Sequence, residues 1–358
     1  MTLNAVLRFV TDFVKSWHAK RTTCLARLVW SLMQGGRLGV AALARHIPTA
    51  TTQKHHVKSV DRFLGNSKVD LTAIWEALLA LSCANRQRIF IFLDWTDLPG
   101  GMETLQASVS YGGRSLPVAW ATTRKGHYHR SKNVFETNLC RVVRSLLPEH
   151  VQLVIIADRG YCRAGFLRAL RKMRGVKFII RVRRDVHFKQ GRGTKALSNR
   201  KLHRGQTRDL PDGLWGKDAQ VPARVVLSWQ KGRRGWPKSP WYLVTNFSPE
   251  ELSAQEVVKA YAKRMRIEEG FRDHKSMRFG FQMRSVKLSS PERWDRLLLI
   301  AALAILLLGH IGAVAEQRGL QRGYKANTSR ERTHSLLHLG RAFLKVLALR
   351  QPRWRLLP

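Results

Sequence analysis

The chain has 358 residues, of which 64 are Lys or Arg and 24 are Asp or Glu, so its formal net charge is +40 and its pI is about 11.4. This excess is far more than solubility requires and favours a polyanionic partner, with binding that weakens as salt is added. A ribosomal or RNA-packaging protein would carry a similar charge, so charge alone does not choose between nucleic-acid partners. With 44% hydrophobic residues, the chain can bury a core and is expected to contain two or more subdomains.

The cysteines argue against zinc and against disulfide bonds. They are widely separated and include no C-x-x-C pair: Cys24, Cys83, Cys140 and Cys162. This spacing supports neither a zinc site nor a disulfide framework and fits a reducing cytoplasm. The first 20 residues lack the basic segment and apolar core of a signal peptide. We therefore expect a cytoplasmic protein.

Residues 1–86 are predicted to be mainly helical and to bind DNA. Residues 38–46 and 54–64 have the pattern of two helices across a turn that contains Pro and Thr. The pair resembles a helix-turn-helix, whose second helix would carry three basic residues to DNA: Lys54, Lys58 and Arg62. An ordinary helical pair is the alternative, because many small helical pairs share this pattern. Nearby His55 and His56, like His127 and His129, are expected to contact phosphate or lie at the surface rather than bind metal.

Two apolar runs in the next region each end in an aspartate. Residues 88–93 lead into Asp94 and residues 151–157 into Asp158, and both runs are typical of buried strands. Taken singly, either aspartate could equally start a turn or cap a helix.

The elements around these aspartates predict an α/β fold. Strand-like segments at 106–111 and 115–120 flank Gly112 and Gly113, which indicates a hairpin. A helix is predicted at 134–147, a basic amphipathic helix at 163–173 and a strand at 176–182. This order predicts a mixed sheet with helices packed on it.

Residues 185–250 are predicted to form a β-rich insertion into this α/β fold, with strands at 223–229 and 241–245. Trp229 and Trp236 also lie in this region. Trp241, at the start of the second strand, packs that strand in the simplest interpretation.

Residues 261–275 contain four polar residues spaced for one side of a helix: Tyr261, Arg264, Glu268 and Lys275. At about 100° per residue they fall within an arc of roughly 60°, beside an apolar stripe. Arg266 and Asp273 are expected on the solvated side. The alternative is an amphipathic helix whose Glu268 only pairs with neighbours one turn away.

Three carboxylates on three separate elements suit a pair of divalent cations. Asp94, Asp158 and Glu268 supply the hard oxygen ligands that Mg²⁺ prefers. Two such ions can clamp the attacking and leaving oxygens of a phosphoryl displacement.

Residues 297–315 are almost continuously apolar and approach the length of a membrane span. We favour a buried core helix, because this is an isolated segment in a strongly basic chain. Residues 316–358 are predicted to be basic and partly helical, with five basic residues that we single out: Arg330, Arg332, Arg341, Lys345 and Arg350. The predicted divisions are 1–86, 87–184, 185–250, 251–315 and 316–358.

Together these segments resemble the bacterial insertion-sequence transposases of the DDE cut-and-paste class, in the subgroup with a Tyr-Arg-Glu-Lys signature. Tyr261, Arg264, Glu268 and Lys275 match the spacing of that signature. Residues 93–97, 157–161 and 241–246 are also similar to the family, and the resemblance extends from about residue 20 to 345.

The resemblance implies a ribonuclease H-like fold, in which the first and fourth strands are neighbours and Asp94 lies beside Asp158. It implies two Mg²⁺ ions, replaceable by Mn²⁺, held by Asp94, Asp158 and Glu268. One ion would activate water and the other stabilise the leaving 3′ oxygen. Arg264, Lys275 and Tyr261 would contact phosphates near the cut.

The family also implies partners. These are the terminal inverted repeats of the element, target DNA and a second copy of the chain, in a bacterial cytoplasm near the nucleoid. Trp241 would stack on a base flipped out of the duplex while a DNA hairpin forms. Two alternatives remain: a structure-specific nuclease without strand transfer, and a non-catalytic nucleic-acid-binding relative.

Overall fold

The computed structural model describes residues 2–128, 130–230, 239–276, 280–326, 328 and 333–344. Its helices are α1 (Leu3–Phe13), α2 (Ala19–Gly35), α3 (Val40–Ala44), α4 (Gln53–Gly65), α5 (Thr72–Cys83), α6 (Lys132–Ser145), α7 (Ala164–Lys172), α8 (Ala254–Ala262), α9 (Met265–Lys275) and α10 (Pro291–Gln317). Its strands are β1 (Arg88–Leu98), β2 (Met102–Tyr111), β3 (Arg114–Arg124), β4 (Gln152–Ala157), β5 (Val176–Arg181), β6 (His187–Gln190), β7 (Gly193–Ala196), β8 (Thr207–Trp215), β9 (Val221–Ser228) and β10 (Trp241–Thr245).

All ten strands belong to one mixed sheet, in the order β3-β2-β1-β4-β5-β10-β9-β8-β6-β7. The first three strands form an antiparallel meander, and Gly112 and Gly113 both adopt the positive φ that its tight turn requires. Strand β4 is parallel to β1 and to β5. Its residues are buried almost throughout, as expected of a strand covered on both faces.

The prediction that the first and fourth strands are neighbours is confirmed. Leu93 of β1 pairs with Ala157 of β4. Asp94 and Asp158 directly follow these two paired residues and therefore lie side by side. The mixed sheet flanked by helices agrees with the ribonuclease H-like fold.

The β-rich segment extends this sheet rather than forming a separate layer. Strand β10 pairs antiparallel with β5, and β9, β8, β6 and β7 follow outward. The strands predicted at 223–229 and 241–245 are present as β9 and β10. The outer strands β6 to β8 escaped prediction because they are short or polar. Strand β7, for example, has no buried residue.

The long apolar helix α10 joins the N-terminal helices to the sheet. It contacts α2, α4 and β3, and the Trp120 indole N–H donates to the Asp295 carbonyl oxygen (3.1 Å). In the described residues it is the one helix long and apolar enough to cross a membrane, with a mean hydropathy of 2.6 over its most apolar stretch. Of that stretch 83% is buried within the protein, in agreement with the predicted core helix.

The single helix predicted at 261–275 is wrong. Helix α8 ends at Ala262 and α9 begins at Met265, with a turn at Lys263–Arg264 between them. The expectation that Arg266 and Asp273 face solvent is also wrong. Arg266 donates to the Ser110 hydroxyl, and Asp273 is 6% exposed with Arg114 nearby (4.0 Å), because α9 lies across the β2–β3 hairpin.

The predicted C-terminal region is described only in part. Residues 336–344 are helical, and the Arg341 guanidinium donates to the Gly280 carbonyl oxygen (3.5 Å). Four of the basic residues singled out in the sequence lie outside the described residues: Arg330, Arg332, Lys345 and Arg350. Trp236 and His129 also lie outside them.

Candidate active site

Asp94 and Asp158 are presented by two adjacent parallel strands. Asp94 lies within β1, just beyond its pairing with β4, and its Oδ1 accepts from the Trp95 backbone N–H (2.9 Å). Asp158 follows β4, and its Oδ1 accepts from the Arg159 backbone N–H (2.7 Å). Each backbone contact orients its carboxylate, so the two acidic groups are held side by side at one edge of the sheet.

Arg264 brings the third carboxylate to the same point. Its guanidinium lies 3.1 Å from Asp94 Oδ2, 3.8 Å from Asp158 Oδ2 and 3.2 Å from Glu268 Oε1. The residue itself is only 6% exposed. Three carboxylates from three elements therefore surround one buried cation, and we call Asp94, Asp158, Glu268 and Arg264 the carboxylate cluster.

The turn between α8 and α9 makes this arrangement possible. Arg264 precedes α9 and Glu268 lies in its first turn, so the two side chains are one turn apart on the side that faces the strand ends. The next residue, Glu269, pairs instead with Arg114 and Arg272. The position of Glu268 in the cluster is thus distinguished from that of its neighbour.

The electrostatics of the cluster favour added positive charge. Burial raises the pKa of Asp94 to about 6, Arg264 opposes this rise, and the charges of Asp158 and Glu268 add to it. A desolvated carboxylate beside two others holds its proton more tightly, so the site gains when a cation neutralises it.

The donor chemistry fits hard divalent cations. In the described part of the chain, no three His, Cys, Asp or Glu side chains stand close enough together to form a metal centre by themselves. Here the guanidinium of Arg264 lies among the three carboxylates. Their oxygens are of the kind that Mg²⁺ prefers, and the buried Asp94 disfavours uncompensated charge.

Tyr261 and Trp241 lie beside the cluster and pack on each other. Their rings meet edge to face with centroids 5.1 Å apart, and they are 3% and 6% exposed. Burial raises the pKa of Tyr261 to about 12. Trp241 thus packs β10 against α8, in agreement with its simplest interpretation, and its stacking on a DNA base stays a prediction.

Lys275 lies apart from the cluster. It is the last residue of α9, two turns beyond Glu268 and so about 10 Å farther along the helix axis. Burial lowers the pKa of Lys275, and its ammonium lies 5.9 Å from the centre of the Phe271 ring. It can contact a substrate that extends beyond the carboxylates, but within the described residues it contacts none of them.

A fourth acid near the site was missed by sequence reasoning. Glu136 of α6 is 1% exposed, accepts from the Trp95 indole N–H (2.8 Å) and pairs with Arg163. Burial raises the pKa of Glu136. Its only signal was an acid between apolar residues of a predicted helix. The contacts place it behind β1, where it holds Trp95, the residue after Asp94.

Two of the three predicted basic residues of the N-terminal region line a cleft. Lys54, Lys58 and Arg62 are exposed along α4, and the predicted helix pair is present as α3 and α4. A cleft of about 590 Å³ between α2 and α4 is lined by Lys58 and Arg62, and from α2 by Lys20 and Arg21. The contribution of α2 was missed, because only tertiary packing brings it alongside α4.

Three of the four histidines singled out in the sequence lie in the described residues. His56 is buried and its Nε2 lies 2.7 Å from the Thr49 hydroxyl, so the expectation that it contacts phosphate or lies at the surface is wrong. His55 lines the cleft, and His127 is exposed with its Nδ1 near the Lys125 carbonyl oxygen (3.2 Å).

Comparison with known families agrees with this geometry. A family model described as the transposase DDE domain matches residues 86–307, which is more than half of the chain and includes Asp94, Asp158 and Glu268. The comparison with curated proteins finds no match.

Proposed function

Because this chain belongs to the transposase DDE-domain family, we propose that it binds the ends of an insertion sequence, cuts them and joins the freed 3′ ends to target DNA. The observation that carries the proposal is the convergence of Asp94, Asp158 and Glu268 on Arg264. The net charge of +40 suits a DNA-acting protein, because the DNA substrate is itself a dense polyanion.

Asp94, Asp158 and Glu268 would hold two Mg²⁺ ions, or Mn²⁺ in their place. Bound there, the ions would supply Lewis acidity and a water nucleophile for phosphoryl transfer. The residues themselves provide fixed carboxylate oxygens: one from within β1, one from the residue after β4 and one from the first turn of α9. Such fixed ligands suit a reaction in which positioning and electrostatics do most of the work.

The remaining signature residues would bind the substrate. Arg264 spaces the carboxylates, and its planar guanidinium can also donate hydrogen bonds to a phosphate at the same point. Tyr261 would donate its hydroxyl to a phosphate oxygen, since its raised pKa keeps the phenol protonated. Lys275 would act as a point charge on a phosphate beyond the cut.

The finer route is part of the same proposal. The freed 3′ hydroxyl would attack the opposite strand to form a hairpin, with Trp241 stacking on an extruded base, before the element is released. Two copies of the chain would pair the two ends. The action would take place in a bacterial cytoplasm, at the nucleoid.

The deciding experiment uses the purified full-length protein with duplexes that carry the DNA bordering its own coding sequence. With Mg²⁺ we expect nicking and transfer of 3′ ends to a second duplex, and with Ca²⁺ binding but little cleavage. Asp94→Asn, Asp158→Asn and Glu268→Gln should each abolish both reactions. Their DNA affinity should stay within a few-fold of wild type, because phosphate contacts supply most of it.

Glu269→Gln is the matched control, since Glu269 contacts Arg114 rather than the cluster. If Glu269→Gln is inactive while Glu268→Gln is active, the catalytic glutamate has been misassigned. Cutting without any joining would identify a nuclease. Binding without either reaction would identify a non-catalytic relative.

A further inference from the structure

Four arginines line one groove next to the carboxylate cluster. The groove has a volume of about 560 Å³, and its lining includes one acid and one aromatic residue among others. We call it the arginine groove and define it by six residues: Arg159, Arg181, Arg183, Arg184, Asp185 and Tyr242.

The sheet topology makes the groove continuous with the cluster. Arg159 directly follows Asp158, and Arg181 is the last residue of β5. Strands β4 and β5 are parallel, so their carboxyl ends meet at the same edge of the sheet, where ligands of open α/β sheets bind. The charge of Arg181 also acts on Tyr261, which lies beside the cluster.

The charges of the groove are poorly compensated. Arg183 is paired with Asp185 through two nitrogens, Nε and Nη2. In the described ranges, no carboxylate lies within 4 Å of Arg159, Arg181 or Arg184. Clustered like charges repel one another, so this arrangement is unfavourable without an anionic ligand.

Exposure argues against a purely structural role. Arg159, Arg183 and Arg184 are exposed, and Arg181 is half-buried. Their guanidinium groups are therefore accessible to a ligand from solvent. Guanidinium forks match phosphate oxygens in pairs, which makes a run of phosphates the best fitting anion.

Tyr242 supplies an aromatic surface in the same groove. It is half-buried in β10, and the charge of Arg184 acts on its phenol. An aromatic ring among arginines is the combination with which proteins follow a nucleic-acid strand, since the ring can stack on a base or sugar while the cations hold the backbone.

We propose that the arginine groove binds the phosphodiester backbone of the DNA strand next to the bond that is cut, and so guides that bond to the carboxylate cluster. This inference rests on the proposed function and adds the path of the substrate. The groove would contribute affinity without sequence preference, because backbone contacts carry no base information.

The test measures affinity for a fluorescently labelled duplex of arbitrary sequence over a series of salt concentrations, with Ca²⁺ to prevent cutting. Arg183→Gln/Arg184→Gln should weaken binding and reduce the slope of log affinity against log salt by about 0.9 for each lost phosphate contact. Asp185→Asn should change both in the opposite direction, since it removes the acid of the groove.

The matched control is Arg171→Gln/Lys172→Gln, at the end of α7. Both residues are exposed, and their substitution removes the same charge from the opposite edge of the sheet. It should leave the slope nearly unchanged. Thermal unfolding of each variant checks the fold. Should the double arginine variant unfold, Asp185→Asn still decides, because a groove that does not bind DNA predicts no tighter binding.

The outcomes separate this inference from the proposed function. If wild type cuts DNA while the groove and control variants have equal slopes, the groove does not bind the strand and the function stands. If wild type neither binds nor cuts DNA, the proposed function itself fails. If inorganic phosphate competes as strongly as DNA of equal phosphate content, the groove is a simple anion site and not a binding site for a DNA strand.

Discussion

Arg264 is the residue on which the geometry of the site depends. It is buried and contacts three carboxylates that come from distant parts of the chain. Removing one partner of a buried charge network usually costs several kcal/mol, because the remaining charges are left uncompensated. The same guanidinium therefore stabilises the three carboxylates and keeps them at a common point.

Asp295, a half-buried acid of α10, should make stability depend on pH. Burial raises the pKa of Asp295 to about 7, while in the unfolded chain it titrates near 3.9. The folded state thus holds the proton more tightly, and the free energy of unfolding should fall as pH rises from about 4 to about 7. Asp295→Asn removes this loss, which is at most about 4 kcal/mol.

The measurement is urea unfolding of both proteins at about pH 5 and about pH 8. At the lower pH most of the stability that depends on the Asp295 proton is still present, and at the higher pH it is lost. The variant should be more stable than wild type at the higher pH, and the difference should shrink at the lower pH. Asp12→Asn, at an exposed position on α1, is the control and should show no such trend. An equal difference at both pH values would contradict the assigned titration.

The packing role of Trp241 can be tested separately from its proposed contact with DNA. Trp241→Ala should lower the free energy of unfolding by about 3 kcal/mol, because a buried ring is lost from β10 and α8. If the ring also stacks on an extruded base, the first nick should be nearly normal while hairpin formation slows. DNA nicked on one strand would then accumulate.

An abasic site at the extruded position should partly rescue that variant, since it lowers the cost of unstacking. If the variant slows the nick and the hairpin step equally, the role of Trp241 is to pack β10 and not to stack on a DNA base. Thermal unfolding at the assay temperature shows whether the variant is folded in either case.

At the scale of elements, the seating of α9 on the β2–β3 hairpin decides where Glu268 points. Gly270 faces β3 so closely that an added Cβ would lie 2.0 Å from the Ser115 hydroxyl oxygen. Arg266 and Asp273 anchor the same helix through Ser110 and Arg114. A residue without a Cβ is therefore needed at position 270 for α9 to approach the sheet.

Gly270→Ala should push α9 away from β3 and slow DNA cutting by up to about 100-fold, the effect expected of a misplacement of about 1 Å at a catalytic group. Ser115→Ala in the same chain should restore part of the activity, because it removes the hydroxyl that the new Cβ would meet. Ser115→Ala alone is the control and should cut normally.

The assay compares nicking rates with thermal unfolding for the three proteins. Normal cutting by Gly270→Ala would show that Glu268 does not depend on this contact. Loss of activity together with global unfolding, without rescue, would make the effect one of stability.

At the scale of the whole molecule, the N-terminal helices and the sheet share one core. Helices α2 and α4 pack on α10, Arg293 pairs with Asp61, and the Arg296 guanidinium donates to the Leu64 carbonyl oxygen (2.8 Å). The cleft between α2 and α4 is therefore held in a fixed position relative to the carboxylate cluster. Residues 1–86 are better tested within the full chain than as a fragment.

Lys58→Gln/Arg62→Gln should reduce the preference for element ends over unrelated duplex, if α4 recognises DNA as predicted. Both residues are exposed and line the cleft, so their loss should not affect the core. Binding of both duplexes, measured over a range of salt, checks this expectation.

Lys68→Gln, at an exposed lysine just beyond α4, is the control. A double variant that keeps the full preference for ends would contradict the helix-turn-helix interpretation. Equal weakening on both duplexes would limit the cleft to backbone contacts.

The sequence alone determined the features that depend on local pattern. The apolar runs before Asp94 and Asp158 predicted two buried strands, and the paired glycines 112 and 113 predicted the hairpin. The spacing of Glu268 from Tyr261 and Arg264 supported the family resemblance. The strand and hairpin predictions are confirmed because strand burial and turn geometry are recorded over a few neighbouring residues.

Only the tertiary structure decided which residues meet. The turn at Lys263–Arg264, the burial of Asp273 and the contact of Glu136 with Arg163 arise from packing against elements far away in the chain. The arginine groove likewise gathers residues 159, 181–185 and 242 at one edge of the sheet. No local periodicity encodes such meetings, because helix and strand patterns report which face is buried and not what lies against it.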